Sequence, residues 1–264
     1  MLAGMIVMPF EPRRFSTAAA HYLAGRIPYE PRLIQRVVEL TKLTPASRVL
    51  DLGCGPGQLA KAFAPFVHEA MGVDPEPEML RAARADAPAN VQFVEGSSYD
   101  LGPQWGRFQL VTMGRSFHWM DRVETLRRFE TSIEPGGALA LFHDSHPELP
   151  ENAWWPEAQA IIRRYTPEGE HHSRRGPGWV PHKTLLLDSR FSVLEEIAVI
   201  ERRTMTVDGL AERALSFSSV SHARIGSQAD AMVAELRQLM QTKAPDGVFT
   251  EVVATEALLA TRAG

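Results

Sequence analysis

The sequence has a single cysteine, Cys54. No intrachain disulfide and no cysteine-rich metal site is available to it. No apolar run approaches the ~20 residues that a bilayer-crossing helix needs. The opening M-L-A-G-M-I-V-M-P-F is apolar but short, with no basic start and no small-residue cleavage site. A cytoplasmic protein is therefore expected, with Met5 and Met8 also available as starts. Basic residues are in slight deficit, 28 against 32 acidic for a net charge of −4. They form no block, which argues against a nucleic-acid backbone as partner. No internal repeat or low-complexity tract is visible, so a solenoid is excluded. What is there, 264 residues with 44% hydrophobic and 23% charged, suits one globular domain or one domain plus a cap.

Glycine is concentrated in one informative place. Arg48–Ala60 reads R-V-L-D-L-G-C-G-P-G-Q-L-A. A short apolar run carrying one carboxylate, Asp51, leads into Gly53, Gly55 and Gly57, and then into a helical segment from Leu59 to Phe66. That is a buried strand, a tight turn and a helix start. Glycine lets the backbone approach a ligand with no Cβ in the way. The N–H groups at the helix start favour polar or anionic ligand groups. Dinucleotide sites use G-x-G-x-x-G, whereas the spacing here is G-x-G-x-G. An ordinary strand-to-helix turn, with glycines serving geometry alone, is the plainer reading.

The stretch resembles motif I of the class I S-adenosylmethionine (SAM)-dependent methyltransferases, D-x-G-x-G-x-G, at every fixed position from Asp51 to Gly57. The resemblance implies a SAM cradle of Asp51, Gly53, Cys54, Gly55 and Gly57. By itself, Cys54 reads as a small side chain packed in the turn. Upstream, Tyr22, Arg26, Pro28 and Tyr29 resemble the Y-x-x-x-R-P-x-Y-P segment of many small-molecule methyltransferases. In that family the segment folds over the cofactor, with its Tyr and Arg near the methionyl end. Ile27 departs from the pattern, and a surface helix with a solvated Arg26 is the alternative.

A second strand over 70–73 ends in Asp74-Pro75, about twenty residues beyond Gly53. A carboxylate there accepts from both ribose hydroxyls, or else caps the next helix. Asp74, Pro75 and Met79 are the implied nucleoside contacts. After a third strand over 91–94 the family has Gly-Asp-Ala, with the carboxylate on the adenine amino group. Here Ser97 and Ser98 follow Gly96, and a hydroxyl accepts more weakly. The fourth strand, 108–114, runs into R-S-F-H-W-M-D, similar to the A-x-H-W-x-D stretch of one broad methyltransferase group. This places Arg115 and Ser116 beside the cofactor and Trp119 toward the acceptor. His118 is a candidate general base near neutral pH, or else packs under the turn. Asp121 is expected to cap the helix over 123–131.

Past a P-G-G turn and a fifth strand over 138–142 come His143, Asp144 and His146. They stand at the carboxyl edge of the sheet, where open α/β sheets bind ligands. Their close spacing is a weak metal signal. No metal is expected; the trio reads as acceptor contacts or a base, or else as a solvated loop, and His143 and His146 are the acceptor-contact candidates. Residues 145–188, rich in Pro and Gly, carry Trp154, Trp155 and Trp179. They read as an insertion forming an acceptor lid. Trp154 and Trp155 either line the acceptor pocket or anchor the helix over 157–165. A strand over 192–204, helices over 206–217 and 229–242, and a last strand over 252–261 complete the pattern.

With the resemblance, the expectation is a single SAM-dependent methyltransferase domain over 1–264, capped by its leading segment 1–30 and the insertion 145–188. The implied fold is α/β, a Rossmann-like doubly wound sheet of seven strands in the order 3-2-1-4-5-7-6, with strand 7 antiparallel and a helical cap. The implied function is methyl transfer from SAM to a small-molecule acceptor, leaving S-adenosylhomocysteine. A SAM-binding regulator, or a catalyst of another SAM-dependent reaction, stays open because its cofactor motif would look the same. An NAD-dependent oxidoreductase lacks its glycine spacing here. A macromolecular methyltransferase lacks its added binding module and basic patch. Neither nucleic acid nor membrane is expected as partner. The acceptor and the oligomeric state are left open.

Overall fold

The computed structural model describes residues 18–168 and 179–263. The first part of the leading segment lies outside the described residues, as do His171, His172, Arg174 and Arg175 of the insertion. Seven strands form one sheet: β1 (Arg48–Leu52), β2 (Glu69–Asp74), β3 (Val91–Glu95), β4 (Phe108–Gly114), β5 (Ile133–Ser145), β6 (Val193–Thr206) and β7 (Val248–Thr261). Their spatial order is 3-2-1-4-5-7-6, as expected. β1 pairs in parallel with β2 and β4, β2 with β3, and β4 with β5. β7 runs antiparallel between β5 and β6.

The central strands are apolar on both faces because helices cover both faces. On one face α2 (Pro31–Leu40) and α3 (Gln58–Phe63) pack Leu33, Val37, Leu59 and Phe63 against Val49, Leu110 and Ala138. α2 forms where Pro31 presets the first turn and the Glu30 side chain accepts from the Arg32 N–H. On the other face α5 (Arg122–Ser132) sets Leu126 and Phe129 against Leu50, Val111 and Leu139. Each such side chain, fully buried, contributes roughly 1.5–3 kcal/mol. Asp121 caps α5, accepting from the Glu124 N–H at 3.0 Å.

Two boundaries differ from the sequence reading. The P-G-G turn lies inside β5. The strand first pairs Ile133 with Phe108, makes an excursion through Gly136 at φ +79°, and resumes at Ala138 opposite Leu110. β6 and β7 are also longer than their apolar runs. β5 meets β7 only from Ala254 onward, whereas β6 follows β7 back to Val248. That overhang carries the cap: α6 (Trp155–Tyr165) and the helices Val207–Leu215 and Gln228–Lys243 close a third core around Trp154, Leu210, Ala214, Met232 and Leu236, with Phe249 packed on it. α1 (Ala18–Gly25) lies against Val207–Leu215 so closely that a Cβ on Gly25 would stand 2.4 Å from the Glu212 backbone.

Candidate active site

The strand order reverses between β1 and β4, and a crevice opens at their carboxyl ends, where such folds bind ligands. A cavity of about 1250 Å³ occupies it. That exceeds the ~300–1,000 Å³ of an ordinary one-ligand pocket, so two ligands fit side by side.

The glycine turn shapes one end. Gly53, Gly55 and Gly57 all take positive φ, at 70°, 53° and 79°. A Cβ on Gly53 would meet the Ser116 side chain at 2.6 Å, and one on Gly57 the Phe93 ring at 2.4 Å. At Gly55 a Cβ would meet nothing within 4 Å, and that residue borders the cavity. The turn thus leaves open the space that a closely approaching ligand would fill. Its amides are largely taken. Gly53 and Cys54 donate to the Val73 carbonyl at 2.7 and 3.0 Å, and Gly55 donates to Asp74 Oδ2 at 2.8 Å. The expected anion-seeking helix start reduces to shape, since α3 is six residues long and its Ala60 N–H donates to Asp51.

Asp51 and Cys54 line a small recess beside Gly53. Asp51 is 1% exposed beneath the turn and off the main cavity wall. It accepts from Ala60 N at 3.2 Å and from Thr112 Oγ1 at 3.1 Å. Burial pushes its carboxyl up to about 7 against those two hydrogen bonds. Its position joins β1, β4 and α3. Cys54 and Gly57 also lie off this wall. Cys54 is buried, and burial raises its thiol well above the ordinary range.

Asp74 does reach the cavity, with Pro75 and, on α4 (Pro77–Arg84), Met79 beside it. Its second oxygen accepts from the Glu76 N–H at 2.9 Å, and burial raises its carboxyl against both bonds. Ser97 and Ser98 line the same end. Ser97 caps a turn with Asp100, whose carboxylate takes its N–H at 2.8 Å and its hydroxyl at 2.9 Å. Asp100 therefore brings to the wall a carboxylate that the sequence pattern had not suggested.

Tyr22, Arg26, Arg115 and Ser116 lie on the wall near the middle. Arg26 donates to the Ser216 carbonyl at 3.1 Å, and its guanidinium stands over Tyr22 and Phe217 at 5.1 and 4.6 Å. It is not a solvated surface residue. Ser116 donates to the Leu52 carbonyl at 2.7 Å, tying the ends of β4 and β1. Arg115, at φ +56°, gives its three guanidinium nitrogens to Asp144, the Tyr29 hydroxyl and the Ile27 carbonyl. It is a clasp on the leading segment, and two of its five N–H donors remain beyond these three bonds. Burial opposes ionisation of Asp144, but Arg115 and Arg26 hold its carboxyl below the ordinary range.

The far end holds His118, Trp119 and His143. Missing from it are three other expected acceptor contacts. Trp154 is 4% exposed in the cap core, edge-on to Phe249 at 4.8 Å. Trp155 stacks on His146 at 4.2 Å, and His146 is bound to Glu251 at 3.1 Å. All three lie off the cavity wall because the hairpin overhang supplies them with partners. Of the described insertion, the part at the wall is instead Trp179, Pro181, His182 and Lys183, leading into α7 (His182–Leu187). Arg122 stands 3.8 Å over Trp179 and 3.2 Å from His182 Nδ1. Burial, then Arg122 and His143, pull the His182 imidazole down to about 4, so it is neutral at pH 7. Glu196 and Glu256 complete this end from β6 and β7. The sequence carried a signal for Glu256: it is the one charge within V-V-A-T-E-A-L-L-A.

A doubly wound sheet with a large crevice at its switch point is the architecture of a nucleotide-type cofactor fold. Residues 49–137 match a methyltransferase domain family. The matched segment runs from β1 to the P-G-G turn and is similar to a methyltransferase domain. It is similar to an uncharacterized methyltransferase of Mycobacterium bovis, 30% identical over 57% of this chain and 59% of that one. It is also similar to the trans-aconitate 2-methyltransferase of Paracidovorax citrulli, 32% identical over 58% of this chain and 51% of that one. These matches thus span little more than half of either relative. A SAM-dependent methyltransferase of Thiobacillus denitrificans, solved with S-adenosylhomocysteine, shares the fold at TM-score 0.56 and 15% identity, over 97% of this chain and 100% of that one.

Proposed function

We propose that the protein transfers a methyl group from SAM to a small-molecule acceptor. The observation that carries this reading is one cavity bordered at one end by Gly55, Asp74 and Met79 and at the other by Trp119, His143 and Trp179. SAM would supply an electrophilic methyl. The chain's own contribution is to seat both partners in line, which removes much of the entropic barrier. Asp74 and Ser98 hold the nucleoside end, Gly55 admits it, and Tyr22 with Arg26 closes over the middle. The lid role narrows, among the described residues, to 179–183. Among the described residues no helix is long and apolar enough to cross a membrane. A cytoplasmic setting and a place in small-molecule metabolism belong to the same proposal, supported by the unpaired Cys54.

Calorimetry with SAM, S-adenosylhomocysteine and NAD tests it. SAM and its product should bind and NAD should not; heat from NAD alone sinks the reading. Asp74→Ala should weaken SAM by roughly 1.5–3 kcal/mol, the cost of a hydrogen bond to a charged group. An unchanged affinity would reduce Asp74 to a brace for the glycine turn.

A further inference from the structure

The acceptor end of the cavity has a definite chemistry. Leu141 and Leu258 form an apolar floor on neighbouring strands, while Phe117, Trp119 and Trp179 stand on its walls. Opposite each other on β5 and β7 are His143 and Glu256, with Nε2 and Oε2 3.0 Å apart. The other oxygen of Glu256 accepts from the Ser145 hydroxyl at 2.6 Å. Glu256 is thereby fixed, and it selects the tautomer that carries hydrogen on Nε2. The Nδ1 lone pair of His143, whose side chain is 50% exposed, is then the basic atom. The other titratable groups on the wall nearby are Glu196 and Lys183, paired with each other, Asp144, bound to Arg115, and Asp121, His182 and His118.

We propose that the His143–Glu256 pair is the general base of an O-methyl transfer to a flat, uncharged acceptor bearing a phenolic or enolic hydroxyl. This rests on the methyl-transfer reading above. Three acceptor classes behave differently here. A carboxylate is already ionised and needs no base, and it would face Glu196 and Glu256. An amine would be held as its ammonium by those same carboxylates, with no lone pair to attack. A phenol keeps its proton up to a pKa of about 10, so it needs a base, and its ring suits the aromatic walls. In the step, the hydroxyl oxygen forms a bond to the methyl carbon as the sulfur–methyl bond breaks. The electron pair of that bond stays on sulfur, giving neutral S-adenosylhomocysteine. The hydroxyl proton passes to Nδ1 of His143, and the resulting imidazolium is balanced by Glu256.

The test incubates the full chain with methyl-labelled SAM and four separate probes: catechol, 2-naphthol, citrate and tryptamine. Mass spectrometry reads the products, and calorimetry on the same sample reads SAM binding. A labelled aryl methyl ether is the expected product. Label on citrate or tryptamine alone, or on none of the four while SAM binds, overturns this inference and leaves the methyl-transfer reading standing. Failure to bind SAM overturns both. With the labelled phenol, His143→Gln should lower kcat by about 10²–10⁴-fold, the usual worth of a general base. The variant's SAM Kd should stay within twofold of wild type. A variant that keeps its rate removes His143 from the chemistry.

Discussion

Two histidine–glutamate pairs stand a few residues apart between the end of β5 and β7. His143 and Glu256 approach to 3.0 Å, and His146 and Glu251 to 3.1 Å. The distances match but the settings do not. The first pair is 50% and 26% exposed and borders the cavity. The second is 3% and 0% exposed, and Arg213 takes both Glu251 oxygens at 2.6 and 2.9 Å. Arg213 also reaches the Gly25 carbonyl at 3.3 Å, so this network joins the hairpin, the cap and the leading segment. A pair that can exchange protons with a ligand must be reachable. A buried pair locked by a third charge can do little except hold. Sequence shows the two histidines as equals, and burial separates them.

The largest expected effect tests the locked pair. Glu251→Gln leaves the Arg213 cation buried without its counter-charge, which costs about 3–5 kcal/mol. For a chain of this size that lowers Tm by roughly 10 °C, readable by calorimetry. A Tm within a degree or two of wild type would put Glu251 on the same footing as Glu256.

A smaller effect of the same residue appears with pH. Burial alone would raise the Glu251 carboxyl, but hydrogen bonds from Arg213 and His146 bring it down to about 2, against its ordinary 4.5. The folded value lies below the unfolded one, so this group's contribution to stability is full above pH 4.5 and is lost as pH falls toward 2. The contribution is about 3 kcal/mol. Denaturant melts between pH 6 and pH 2.5 should show that acid loss in the wild type and much less of it in Glu251→Gln.

The smallest stability effect belongs to the reachable pair. Glu256→Gln should cost less than about 1 kcal/mol, the usual worth of a solvent-exposed ion pair. Labelled-methyl turnover should nonetheless fall, because the imidazolium formed at His143 loses its balancing charge. A large drop in Tm with turnover intact would reverse the comparison.

The cofactor half was legible because its constraints are local. Three left-handed backbone positions within five residues demand glycine, and the apolar strands with Asp74 at an end follow in register. The bracing of Asp51 was not legible, because its partner Thr112 lies sixty-one residues away. The cap was less legible for the same reason. Trp154 faces Phe249 across the hairpin, and nothing near Trp154 in sequence announces that contact. Glu256 is the converse, a long-range partner that its own apolar strand made conspicuous.

The overhang of β6 and β7 has a consequence for how such a protein changes over time. The cap core hangs from one end of a two-stranded arm, while the glycine turn follows β1, with β5 and β4 between it and the arm. The cap helices meet the cavity through Ser216 and Phe217, which hold Arg26 on its wall. The matched region, residues 49–137, stops short of the arm. Variation in the cap therefore reaches the middle of the cavity wall through Arg26, while the glycine turn stands apart from it.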